Sequence, residues 1–292
     1  MTNPDRLASE TFPYTWTRAF EYLVEQRRTA GAPHEEFTSE ALKGSQLDAD
    51  ATEWLGIVDE ADADRDYPIE VYRTSITRLQ LAEELMLSLR PTMTTLLGDV
   101  PHRLAARSAI ETIAWTYWVL AEPSFRGRCE RHIRLERADL RRIQLLEPGD
   151  EARATIEAKR IRSERVAQKL GIEASKSLPT ATQTVAHLFR RSEPYESEFL
   201  AALSDSDRER LFYRFPSLAA HPNPLVGFRE TTEITLVRYT GLAFGYWKAW
   251  RKVCAVTSSA TPAFDKHMQM IVLGLHHVSS QFLEASLRKP AP

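Results

Sequence analysis

Arg214 and His221, in the run RFPSLAAH, are the residues whose types and spacing offer chemistry most directly. Six residues lie between them, about two helical turns, so both side chains can share one helix face. An imidazole moves protons near neutral pH, and a guanidinium stabilises charge developing on a phosphate. The pair therefore suits metal-independent cleavage of a phosphodiester by its neighbouring 2′-hydroxyl. A structural account stands beside it: His221 ends a helix before Pro222, Arg214 forms an ion pair, and Pro216 interrupts any helix between them. Arg126 and His132, with five residues between them, make a similar pair.

A second constellation is Glu111 with His132 and Glu136. His132 and Glu136 are four apart, hence neighbours on one helix face. Bundles that hold two iron or manganese ions use two Glu-x-x-His elements plus two further Glu. No Glu-x-x-His occurs in this chain, so the trio suits at most a mononuclear site and no cofactor is expected. The alternative is a buried polar network of Arg107, Glu111, Arg131, His132 and Glu136. In it Glu111 pairs with Arg107 one turn away, or with Arg131 or Arg134 across a helical hairpin, because a buried carboxylate demands a cationic partner.

The elements that must position these groups read as helices. Period-2 alternation is absent, and neither GxGxxG nor GxxxxGK[ST] occurs. An all-α multi-helix bundle of about nine or ten helices is expected. Residues 1–67 form an acidic helical cap and residues 68–292 the main bundle of one continuous fold. Helices are expected over 14–30, 51–61, 68–97, 103–120, 125–143, 151–170, 182–191, 206–218, 225–256 and from 261 onward, with residues 31–50 as loop. Pro68 and Pro101 suit first turns, Gly171 a C-cap, and Ser206 with Glu209 a capping box. The helix holding Glu111 is apolar almost all round from Ala109 to Leu120, the mark of a buried helix. Its partner keeps a stripe of Phe125, Cys129, Ile133, Leu140 and Ile143. The tryptophans at 115, 118, 247 and 250 read as core, and Gly241 and Gly245 as a site of close helix approach.

The net charge of −2 excludes a whole-molecule pull toward nucleic acid or membrane. It conceals an asymmetry. Residues 1–70 carry sixteen acidic and six basic side chains, whereas residues 126–169 carry thirteen basic and eight acidic ones. The basic stretch can track a phosphate backbone, although interleaved acids read as a solvated helix face. The acidic stretch is a solvated cap or a docking surface. Cys129 and Cys254 form no metal-type spacing, and no apolar run approaches the roughly 20 residues of a membrane span. With no signal-peptide pattern after MTNPDR, a cytoplasmic chain is expected.

The Arg214–His221 spacing resembles the R-x(4-6)-H motif of HEPN-type ribonucleases. These are small all-α proteins that cleave RNA without metal, commonly as dimers with a composite site. A longer stretch, roughly residues 100 to 230, resembles a family of uncharacterised helical proteins common in actinobacterial genomes. The resemblance is carried by RSAIETIAWTYWVLAEPSFRGRCERHIRLERADLRR, PTATQTVAHLF and FYRFPSLAAHPNPLVGF. It implies an all-α, HEPN-like fold, and its matching positions are Arg107, Glu111, Arg128, Arg131, Tyr213, Arg214, Ser217 and His221. The expectation is an RNA-acting ribonuclease in stress response or defence, with RNA and a second copy as partners. The alternatives are a non-catalytic interaction or regulatory protein, whose acidic and basic ends dock a protein partner or oppose each other in a dimer, and a metal-dependent oxidase on the Glu111 trio.

Overall fold

In the computed structural model, the described residues are 43–59, 61–89, 100–173, 177–190 and 232–257, with isolated positions 18, 21, 22, 24, 25, 204 and 266. Among them are seven helices and no strand: α1 (Gln46–Leu55), α2 (Tyr67–Ser88), α3 (Val100–Leu120), α4 (Phe125–Gln144), α5 (Asp150–Lys169), α6 (Ala181–Leu188) and α7 (Thr232–Thr257). The described part is all-α. The capping box expected at Ser206 and the helices expected over 206–218 and from 261 fall outside the described residues, apart from isolated positions. None of the described helices is long and apolar enough to cross a membrane.

Local chemistry sets the helix ends. Pro68 lies in the first turn of α2, where a missing N–H costs nothing. The Ser124 hydroxyl caps α4 by accepting from the Gly127 N–H at 3.1 Å. Gly171 adopts φ +58°, and the Ile172 N–H reaches back to the Ala167 carbonyl at 2.8 Å, which closes α5 with a Schellman turn.

Five starts differ from the sequence expectation, α2 beginning at Tyr67 rather than 68 and α3 at Val100 rather than 103. Helix α1 begins at Gln46 rather than 51, because Ser45 accepts from the Asp48 N–H at 3.1 Å and so opens the helix inside the expected loop. Helix α5 is capped by Gly149, with Asp150 in its first turn. Helix α6 begins one residue early, since Thr180 and Gln183 form a reciprocal capping box.

Helix α3 packs against α2, α4, α6 and α7, which is why it is apolar on nearly every face. One core cluster joins Leu79 and Met86 of α2, Ile110 and Ile113 of α3, Leu188 of α6, and Phe244, Trp247 and Trp250 of α7. A second joins Trp54 and Val58 to Tyr67, Val119, Phe125, Cys129, Ile133 and Val166. Helix α7 approaches closely at Gly245, where a Cβ would lie 3.0 Å from Leu188 Cδ2 and 3.4 Å from Ile110 Cδ1. The α4–α5 hairpin runs from the second cluster to an exposed tip, where residues 141–147 are all exposed. Ile143, expected in the buried stripe of α4, is therefore 43% exposed.

Candidate functional site

Arg214 and His221, with Tyr213 and Ser217, lie outside the described residues. The other candidates are placed, and they do not form one network. Arg107 and Glu111 pair with each other on α3 at 2.7 Å, both about a quarter exposed. Glu111 is thus not the buried carboxylate that its apolar neighbours suggest. Arg131 pairs with Glu122 at 2.6 Å, donates to the Trp118 carbonyl, and lies over the Trp118 ring.

His132 and Glu136 sit deeper, between α2, α4 and α5. His132 Nδ1 shares a hydrogen bond with the Tyr67 hydroxyl at 3.1 Å, and Nε2 is buried without a partner. Burial, reinforced by the positive charges of Arg78, Lys159 and Arg162, pushes this imidazole down to about 3. It is therefore neutral at physiological pH and cannot exchange protons with a solvent-borne substrate. Glu136 accepts from the Ser163 hydroxyl, and burial raises its carboxyl above the usual range. Burial also pushes the Cys129 thiol up, so it is not a nucleophile. Among the described residues no three His, Cys, Asp or Glu side chains converge to hold a metal ion, so the Glu111, His132 and Glu136 trio supplies no donor set.

The polar centre that spacing did not reveal is built on Asp50 and Arg128. Their side chains are 2% and 3% exposed and meet at 2.6 Å. Arg128 also donates to Asp50 through Nε at 3.1 Å, and to the carbonyls of Glu122 and Pro123 at 2.5 and 2.8 Å. The Tyr72 hydroxyl donates to Asp50 at 2.5 Å. One guanidinium thus ties α1, α2, the end of α3 and the start of α4. Asp50 and Arg128 are 78 residues apart, beyond any local motif.

The charge asymmetry is also resolved within the chain. Asp64, 1% exposed, lies 3.3 Å from Arg162, 3.0 Å from Arg165 and 3.1 Å from Lys169. Asp62 meets Lys169 at 2.5 Å, and Asp66 meets Arg162 at 2.7 Å. The Trp54 indole N–H donates to the Asp64 carbonyl at 2.8 Å. Hydrogen bonds and charge from Lys169 and Arg165 hold the Asp62 and Asp64 carboxyls below the usual range against the opposing effect of burial. These acids are a latch between the α1–α2 connection and α5. This part of the acidic stretch is neither a solvated cap nor a face left open to oppose a second copy. The same pairing takes Arg162, Arg165 and Lys169 from the thirteen basic side chains of a phosphate track.

Between α4 and α5 a cavity of about 120 Å³ is lined by Arg137, Leu140, Arg141, Ile156, Arg160 and Glu164. Arg160 is held by Glu157 and Glu164, each at 2.5 Å. Lys248 on α7 is only 1% exposed. It donates to the carbonyls of Leu188 and Arg190 at 2.9 and 3.1 Å, closing the C-terminal end of α6.

No protein-family model matches the chain, no curated protein matches it, and no solved structure matches it.

Proposed function

We propose that the chain is a HEPN-like, RNA-acting helical protein that cleaves phosphodiesters without a metal. The observation that carries this reading is the Arg214–His221 spacing in RFPSLAAH. In the reaction, His221 takes the proton of a ribose 2′-hydroxyl as its oxygen attacks phosphorus. The bond to the 5′-oxygen breaks, that oxygen is protonated, and a 2′,3′-cyclic phosphate forms. Arg214 stabilises the charge on the phosphate oxygens. Two features support the reading. Every described element is helical. Of the competing groups, His132 and Cys129 are buried and Glu111 is engaged in an ion pair with Arg107. The test is cleavage of a mixed RNA pool by purified protein in EDTA. Wild type should cleave and His221→Ala should not, whereas equal activity in both removes His221 from the chemistry.

A second reading, a protein that acts by docking a protein partner, is favoured by one feature. Leu145 and Leu146, at the tip of the α4–α5 hairpin, are 82% and 79% exposed. Adjacent exposed leucines mark an interaction site more often than isolated ones do. A photo-crosslinker at position 145, irradiated with cellular protein present, tests it. Reproducible capture through the tip supports docking, and capture no greater than from a site on the face of α5 rejects it.

A further inference from the structure

We propose that the hairpin tip docks a second copy of this chain, as a two-fold contact between α4–α5 tips. The inference rests on the docking reading and names its occupant.

Two observations converge. First, the tip is apolar where it is most exposed: Leu145 and Leu146 project from the turn, with Ile143 beside them at 43%. Second, its free charges are segregated. Arg141, in the last turn of α4, forms no ion pair, and neither does Glu147 in the turn nor Glu151 in the first turn of α5. Other charges at the tip are paired locally, Arg142 with Asp139 and Arg153 with Asp150. One flank thus keeps a free cation and the other keeps free anions, with the leucines between. The backbone carries the reverse polarity, since the α4 flank ends in carbonyls and the α5 flank begins in N–H groups, but its partial charges of about half a unit are exceeded by those of the free side chains.

A surface of this kind is complementary to itself. A two-fold axis normal to the plane of the hairpin sets the α4 end of each copy against the α5 start of the other. Each Arg141 then faces Glu147 and Glu151 across the axis, and the four leucines close the centre. The contact is small, so the dimer forms with concentration and dissociates on dilution. It is also weakened by salt, since its ion pairs lie at the rim.

Sedimentation velocity across a micromolar to millimolar series tests this on the full chain. Wild type should pass from 33.3 kDa to twice that mass. Leu145→Asp and Leu146→Asp should each shift the midpoint about tenfold or more to higher concentration. These positions are exposed, so circular dichroism should show an unchanged fold. Charge reversal gives the decisive arm. Arg141→Glu alone should weaken association, and Glu147→Arg with Glu151→Arg should do the same. An equimolar mixture of the two variants should restore it, because both facing pairs then regain opposite sign. A wild type that stays monomeric throughout overturns the inference, as does dimerisation that survives both leucine changes or a mixture that fails to associate. Failure of the docking reading shows separately. If wild type is monomeric but position 145 still crosslinks to another protein, only the second-copy occupant falls. If it crosslinks to nothing, both fall.

Discussion

Arg128 shows how one side chain can hold four elements. Its guanidinium spends its donors on Asp50 and on the Glu122 and Pro123 carbonyls of the turn between α3 and α4. Truncation strands a buried carboxylate, which is the expensive way to break an ion pair. Arg128→Ala should therefore lower unfolding stability by about 3–5 kcal/mol in urea titrations. Arg128→Lys should recover only part of that, because an ammonium cannot reproduce the planar fork. His132 gives a prediction in pH. Its folded value, about 3, lies below the ordinary 6.5. Between those values the unfolded chain holds a proton that the folded chain refuses. Stability is thus complete above that window and falls as pH drops through it, by about 1.4 kcal/mol per pH unit. Glu136, raised above 4.5, acts in the opposite sense just above that value. Unfolding titrations from neutral to acid pH should show a shallower slope in His132→Gln, and parallel slopes would remove His132 as the cause. The sequence placed His132 and Glu136 in a polar network but did not show their partners, Tyr67 and Ser163. A histidine four residues from a glutamate looks like a ligand pair, and only Tyr67, 65 residues away, shows which face is buried.

At the scale of elements, the sequence was read best where backbone chemistry is local. Pro68, Pro101 and Gly171 mark real helix ends because a missing N–H and a positive φ each act within one turn. The start of α1 was missed because Ser45 caps from inside a polar stretch that otherwise reads as loop. Close helix approach was also legible, though its partner was not: Gly245 meets Leu188 of α6 and Ile110 of α3. Alanine there gains helix propensity of about 1 kcal/mol, set against a 3.0 Å contact that the end of a leucine can yield. It should be close to neutral. A branched side chain has no such room, so Gly245→Val should destabilise by about 1–3 kcal/mol, read from the urea midpoint. A variant as stable as wild type would show that α7 does not pack as described.

For the molecule as a whole, the opposing charges of its acidic and basic stretches were visible from composition, but their meaning was not. Summed charge tells which segments attract. It does not tell whether they meet within one chain or between two. Here Asp62, Asp64 and Asp66 close onto Arg162, Arg165 and Lys169 of the same chain. The candidate nuclease element was legible only as a pattern, because two residues seven apart share a face only if the backbone between them is helical. Lys248 carries one more consequence. Its amine is sealed beneath Tyr117 and Phe244 and spoken for by two carbonyls. Acylating reagents, and enzymes that tag lysines, find it only when the chain opens. The rate at which position 248 is labelled in the native protein is thus a clock for unfolding, running beside surface lysines that report nothing but reagent.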